Sequence, residues 1–117
     1  MKVYTYAKCS TCRDAVKWLK GRSVAFEEVP IKESPPTKAE LRAVVAALGG
    51  NLKRVFNTSG MEYRKLGLAE RWGTLSEDEA LGLLTSNGML VKRPLVVGSG
   101  FGLAGFDPEV WAETIPT

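Results

Sequence analysis

The chain has 117 residues, of which 44% are hydrophobic and 25% are charged, and its formal net charge at pH 7 is +3. This length and composition predict one domain, residues 1–117, with one core. No apolar run approaches the roughly 20 residues that cross a bilayer, and the first residues lack the ordered regions of a signal peptide. A cytoplasmic protein with no membrane partner is therefore expected. The basic residues are dispersed and not interleaved with aromatic ones, so direct nucleic-acid binding is not expected.

The counts of cysteine and histidine exclude several kinds of site. The chain has two cysteines and no histidine, so it lacks a cysteine–histidine or serine–histidine catalytic pair. One chain also cannot build a zinc site from four cysteines, or from two cysteines and two histidines, and no metal is expected. Three interpretations of the cysteines remain: a redox pair, a nucleophile with a resolving thiol, or two inert apolar residues.

The first 30 residues predict a strand, a helix and a second strand. Residues 1–6 form the first predicted strand, and residues 9–19 form a helix that Gly21 ends. Residues 24–29 form the second predicted strand, which Pro30 ends. This order is a βαβ unit, so the two strands are predicted to be parallel, with a right-handed crossover.

The middle of the chain, residues 37–88, is predicted to be a helical insert of helices and loops only. Two capping boxes, each a hydroxyl residue followed three positions later by glutamate, mark helix starts: Thr37 with Glu40, and Ser76 with Glu79. A shorter helix is predicted over residues 62–68. Its predicted inner positions are Tyr63, Leu66 and Gly67.

The last quarter of the chain predicts a hairpin and a helix. Residues 95–97 and 101–104 are the predicted strands, and Asp107 with Pro108 begins a helix that runs to about residue 114. With the C-x-x-C pair at the start of the first helix, the order βαβ, insert, ββα is typical of a thioredoxin-like fold. We therefore predict an α/β protein with a mixed four-stranded sheet. By analogy with that fold, Pro94 is expected to be a cis proline that faces the cysteine loop.

The cysteine pair lies where the first strand meets the first helix. A helix start offers unpaired N–H groups and the positive end of the helix dipole, which favour thiolate over thiol. Lys8 and Arg13 flank the pair and act in the same direction. Cys12 falls on the apolar stripe of the helix, whereas Cys9 precedes the helix and should be more exposed. The functional interpretation therefore makes Cys9 the attacking thiolate and Cys12 the resolving thiol.

Further site residues are predicted from the positions around this pair. If Pro94 faces the cysteine loop, Arg93 projects near Cys9, where a guanidinium would stabilise a thiolate or hold an oxyanion. Residues 57–60 form a polar turn before a helix, interpreted either as part of an anion site or, preferably, as a capped turn. The candidate substrate-binding residues are Lys8, Asn57, Arg64 and Pro94.

Four segments together resemble the arsenate-reductase-like family, which includes the Spx and MgsR regulators. They are YAKCSTCRDAVKWL (6–19), NTSGMEYRKLGL (57–68), NGMLVKRPLVV (87–97) and GFDPEVW (105–111). The likeness runs from end to end in the same order. It implies a thioredoxin-like fold with a helical insert.

The resemblance implies three different functions. In the glutaredoxin-coupled arsenate reductases, one cysteine attacks arsenate and three arginines hold the oxyanion; Cys9 and Arg93 match that pattern. Asn57 stands where a second arginine is expected, and the third position falls near Gly105, so arsenate would be held weakly. Cys12 is additional to the enzyme pattern and makes the pair resemble Spx.

The leading hypothesis is a thiol–disulfide redox protein in which Cys9 attacks, Cys12 resolves and Arg93 holds the thiolate. It would bind no cofactor, and its electrons would come from thioredoxin, glutaredoxin or glutathione. One alternative is an Spx- or MgsR-like redox sensor that binds the α-subunit of RNA polymerase. The other alternative is a glutaredoxin-coupled arsenate reductase.

Overall fold

The computed structural model describes residues 1–116, and within them the chain forms four strands and five α-helices. The strands are β1 (Lys2–Thr5), β2 (Glu27–Pro30), β3 (Leu95–Val97) and β4 (Gly102–Ala104). The helices are α1 (Ser10–Gly21), α2 (Lys38–Ala47), α3 (Met61–Lys65), α4 (Glu77–Ser86) and α5 (Pro108–Thr114). Three short 3₁₀ helices lie at Leu52–Val55, Leu68–Glu70 and Gly88–Leu90. No helix in residues 1–116 is long and apolar enough to cross a membrane.

The four strands form one sheet in the order β2-β1-β3-β4. β1 is parallel to β2, with Val3 opposite Glu28, and antiparallel to β3, with Tyr4 opposite Leu95. β3 and β4 are the antiparallel hairpin. The predicted mixed four-stranded sheet and the parallel first pair are therefore confirmed.

Two hydrophobic clusters cover the two faces of the sheet. Successive side chains of a strand point to opposite faces, and β1 follows this rule: Val3 belongs to one cluster and Tyr4 to the other. The insert supplies most of the first cluster, including Leu41 and Leu84. Helices α1 and α5 supply the second, which contains Trp111. The cysteine pair follows β1, at the start of α1.

The second strand begins later than predicted. After α1 the chain remains tied to the helix end, because the Val24 amide donates to the Leu19 carbonyl at 3.1 Å. Pairing with the amino terminus starts only at Glu27, whose amide donates to Met1. Val24 therefore packs against the second cluster from a loop. Pro30 is the last residue of β2, an edge strand, where a missing N–H is tolerated.

Both capping boxes form as predicted. The Thr37 hydroxyl accepts from the Glu40 amide at 3.1 Å, and the Glu40 carboxylate accepts from the Thr37 amide at 3.0 Å. Ser76 and Glu79 make the same reciprocal pair before α4.

The short helix of the insert differs from the prediction. α3 ends at Lys65, and Gly67 then adopts a left-handed conformation with φ of 61°. The turn leaves Leu66 exposed, so its predicted inner position is wrong, and Leu68 is buried in its place. Phe56 also forms an isolated antiparallel bridge with Val91, so the insert is anchored by extended backbone at its exit.

Candidate functional site: a thiolate loop facing an arginine

Cys9 is the N-cap residue of α1. Its backbone is extended, and its Sγ accepts a hydrogen bond from the Cys12 amide at 3.3 Å. The loop before it closes on itself, because the Cys9 amide donates to the Tyr6 carbonyl at 3.0 Å and Arg13 Nη1 donates to the Ala7 carbonyl at 2.9 Å. The sulfur of Cys9 is thereby fixed at the helix start, where unpaired amides favour a negative charge.

The surroundings of Cys9 favour its thiolate. Partial burial raises the pKa of its thiol, but the hydrogen bonds from the Cys12 side chain and amide, together with Arg93, outweigh this effect. The guanidinium of Arg93 adds a favourable charge and a further hydrogen bond. The net result is a Cys9 pKa below its ordinary value, on a side chain that remains half-exposed. Cys9 is therefore positioned as a nucleophile.

Cys12 has the opposite character. Its side chain is only 2% exposed, as its place on the apolar stripe predicts. Burial raises the pKa of the Cys12 thiol to about 12, and its hydrogen bond with Cys9 acts in the same direction. At neutral pH Cys12 is therefore a protonated thiol that can donate a hydrogen bond to the Cys9 sulfur. Both cysteines are free.

Arg93 forms the second wall of the site. Its Nη1 donates to the Met89 carbonyl at 3.2 Å, and its guanidinium carbon lies 5.4 Å from the centroid of the Tyr6 ring. The Nε atom is buried and has no hydrogen-bond partner within residues 1–116. Arg93 also lowers the pKa of both cysteines. A backbone oxygen and an aromatic face therefore hold the guanidinium against the thiolate.

The backbone around Arg93 is fixed by its neighbours. The Arg93–Pro94 peptide bond is cis, as predicted, and the buried Pro94 accepts from the Gly105 amide at 2.9 Å through its carbonyl. Just before it, the Lys92 amide donates to the Val55 carbonyl at 2.9 Å. The segment that carries Arg93 is thus joined to the residue after β4 on one side and to the insert on the other.

Three candidate substrate-binding residues have no described contact with the cysteines. Lys8 is exposed and makes no hydrogen bond or ion pair within residues 1–116. The Asn57 amide donates to the Leu90 carbonyl at 2.7 Å, while its side chain accepts from Ser59 inside its own turn. Arg64 is exposed and lines a separate pocket of about 270 Å³ that contains no cysteine. Their proposed roles remain predictions.

Tyr6 and the Met89 carbonyl are parts of the site that the sequence did not reveal. Tyr6 ends the first predicted strand three residues before Cys9, and Arg93 is predicted to project near Cys9. An aromatic residue so close to a predicted cation was a signal that could have been used. A backbone carbonyl has no signal of its own, because every residue carries one.

The comparisons with known proteins agree with this geometry. Residues 4–114 match the model of the ArsC family. The chain belongs to the ArsC family. It is 47% identical to the uncharacterized protein YusI of Bacillus subtilis (strain 168), over 94% of this chain and 93% of that protein. A crystal structure described as an ArsC family related protein from Bacteroides fragilis has a TM-score of 0.88 at 42% identity, covering 96% of this chain and 94% of that one.

More distant ArsC-family relatives carry several names. The regulatory protein MgsR of Bacillus subtilis (strain 168) is 27% identical over 90% of this chain and 82% of its own length. An arsenate reductase of Yersinia enterocolitica is 28% identical over 81% of this chain and 66% of its own length. The global transcriptional regulator Spx of Streptococcus agalactiae serotype V is 29% identical over 86% of this chain and 72% of its own length. The comparisons therefore establish the fold and the family, whereas the names of these relatives describe different functions.

Proposed function

We propose that this ArsC-family protein is a cytoplasmic thiol–disulfide oxidoreductase. The observation that carries the proposal is the opposite character of the two cysteines. Cys9 is half-exposed with a lowered pKa, and Cys12 is buried with a pKa of about 12. A low-pKa attacking thiol beside a protonated second thiol is the arrangement that thiol–disulfide exchange uses.

The proposed reaction has two exchange steps. The Cys9 thiolate attacks one sulfur of a disulfide substrate, forms a mixed disulfide and releases the first substrate thiolate. Cys12 then loses its proton to the departing sulfur and attacks the Cys9 sulfur. The second substrate thiol leaves, and the Cys9–Cys12 disulfide has taken up the oxidation. Two electrons from an external thiol reductant, of the thioredoxin, glutaredoxin or glutathione class, restore the dithiol.

Arg93 is proposed to hold the thiolate before attack. Its contacts with Met89 and Tyr6 fix the guanidinium, so little side-chain freedom is lost when it pairs with the sulfur. A charge-assisted hydrogen bond of this kind contributes roughly 1.5–3 kcal/mol. This contribution favours Cys9 over Cys12 as the attacking sulfur, because Arg93 hydrogen-bonds to Cys9, whereas only its charge acts on Cys12.

Arsenate reduction is a weaker proposal for this chain. Of the three arginines expected for oxyanion binding, only Arg93 is present, since Asn57 occupies the second position. The third falls near Gly105, whose φ of 79° is a conformation that side chains other than glycine rarely adopt. A doubly charged oxyanion would have one such cation instead of three.

A redox-sensing regulator is the second proposal. The observation that favours it is the C-x-x-C pair itself, because Cys12 supplies the intramolecular disulfide that a sensor needs. Relatives named Spx and MgsR match most of this chain, although at 29% and 27% identity. Capture of the RNA polymerase α-subunit by the reduced and the oxidised protein would separate the two proposals. Equal capture, or none, in both states counts against the sensor.

Alkylation of each cysteine, followed by mass spectrometry from pH 4 to pH 12, tests the leading proposal. Because its pKa is lowered, Cys9 should reach half of its maximal rate below the value of about 8.5 for a free cysteine. Cys12 should stay unreactive until the solution is strongly alkaline, since its thiol must lose a proton near pH 12. A Cys9 midpoint at or above 8.5 contradicts the mechanism.

Two matched variants assign the roles of the sulfurs. Cys9→Ser should lower the disulfide-reductase rate by roughly a hundredfold or more, because serine does not form the attacking thiolate. Cys12→Ser should attack normally and accumulate the mixed disulfide, visible as an adduct on Cys9 by intact mass. The opposite pattern, an adduct on Cys12 in the Cys9→Ser protein, would exchange the two roles.

A further inference from the structure

A groove of about 390 Å³ lies between α1 and the edge strand β2. Its lining includes Cys12 but not Cys9, Arg93 or Pro94, so it adjoins the candidate redox site at the buried thiol but does not include the attacking sulfur or its arginine. Ala7 and Val16 line it together with Cys12. These side chains give the groove an apolar floor.

The α1 wall of this groove carries positive charge. Arg13, Lys17 and Lys20 line it at positions i, i+4 and i+7, which place them on one side of the helix. All three are exposed. Lys17 and Lys20 make no hydrogen bond or ion pair within residues 1–116, and Arg13 donates to a neutral carbonyl. Three cationic groups therefore face the groove without an anionic partner in the described chain.

The opposite wall carries one carboxylate, and that group already has a partner. The buried hydroxyl of Thr5 donates to Glu28 Oε2 at 2.6 Å. Glu28 makes no ion pair with the lysines across the groove. The groove thus has an apolar floor, a cationic wall on α1 and a single, already hydrogen-bonded carboxylate on β2.

We propose that this groove binds a small organic carboxylate with an apolar body. The apolar body would cover Val16 and Ala7, and the carboxylate would lie against Lys17 and Lys20. The volume falls within the roughly 300–1,000 Å³ that is usual for small-molecule sites. The combination of apolar lining with a few convergent polar groups is also usual for such sites. The proposal does not depend on the redox function.

Three probes of equal chain length but different head-group charge test the proposal: octanoate, 1-octanol and octylammonium. Each is titrated into the full-length ¹⁵N-labelled protein at constant ionic strength and followed by NMR. Octanoate should shift the amides of Ala7 and Val16 in a saturable way and bind roughly fivefold more tightly than octanol. Octylammonium should bind most weakly. Equal binding of octanol and octanoate, tighter binding of octylammonium, or saturable shifts elsewhere in the protein would overturn the proposal, and so would no saturable shift.

Variants of the groove complete the test. Lys17→Gln combined with Lys20→Gln should weaken octanoate binding roughly fivefold and leave octanol binding unchanged. Lys65→Gln, which removes an exposed lysine from α3, is the control for lost charge and should have no effect. Val16→Phe should fill the floor and abolish binding of all three probes, with the NMR spectrum reporting whether the variant is folded. Unchanged octanoate affinity in the double lysine variant contradicts the site.

Discussion

The two walls of the candidate redox site are built in different ways. The cysteine wall, residues 7–13, is one continuous piece of chain, and its hydrogen bonds join residues no more than six positions apart. The arginine wall, residues 89–94, is held by distant segments, because Lys92 bonds to Val55 and Val91 bridges to Phe56. The first wall depends on local structure, whereas the second depends on the packing of the insert.

This difference predicts how the site responds to damage in each layer. Loss of packing in the insert should displace Arg93 and raise the pKa of Cys9. Loss of packing beneath α1 should lower the stability of the whole protein, but the helix start would keep its local hydrogen bonds. The predictions below test this contrast, beginning with the largest expected effect.

Two leucine-to-alanine variants compare the walls with the same chemical change. Leu90 and Leu19 are both almost fully buried, the first within the arginine wall and the second on α1. Each variant should lower the free energy of unfolding by roughly 2–5 kcal/mol, measured by urea denaturation. Among folded molecules, only Leu90→Ala should raise the pKa of Cys9. A larger pKa rise in Leu19→Ala would show that the cysteine wall is the one that depends on distant packing.

The same contrast explains what could be predicted from the sequence. The cysteine wall follows from neighbouring residues, so the helix start, the buried Cys12 and the more exposed Cys9 were all predicted correctly. The capping boxes succeeded for the same reason, because Thr37 and Glu40 are neighbours on the chain. The predicted inner position of Leu66 was wrong because Gly67 turns the backbone directly after it, and periodicity does not reveal where a helix of five residues ends.

The arginine wall needed information that local patterns do not contain. The cis bond before Pro94 was predicted from the analogy with a known fold, and spacing alone would not have suggested it. Asn57 was placed near the site by the resemblance, and its amide does bond to Leu90, but its side chain remains in its own turn. Which residues of the insert support the segment around Arg93 is decided by tertiary packing. The Met89 carbonyl that accepts from Arg93 could not be found from the sequence, because every residue carries such a group.

The next largest effect is expected from removal of the Arg93 guanidinium. Arg93→Met keeps the length of the side chain but removes its charge, so it should raise the pKa of Cys9 by roughly one unit. The alkylation rate of Cys9 at pH 7 should then fall about tenfold, because less thiolate is present. Arg93→Lys is the control that retains a charge. Its Cys9 alkylation rate should lie between those of Arg93→Met and the native protein, since lysine cannot reproduce the planar fork of arginine. An unchanged Cys9 pKa in Arg93→Met would remove Arg93 from the mechanism.

The smallest predicted effect concerns Tyr6, which contacts Arg93 from the cysteine side of the site. A cation over an aromatic ring contributes roughly 0.5–1 kcal/mol at an exposed site, and here the guanidinium carbon lies 5.4 Å from the ring centroid. Tyr6→Leu should therefore raise the Cys9 pKa less than Arg93→Met does, and slow alkylation at pH 7 about two- to fivefold. Tyr6→Phe retains the ring and should match the native protein. If Tyr6→Leu also behaves as native, the Met89 carbonyl alone positions Arg93, and the arginine wall is independent of the cysteine wall.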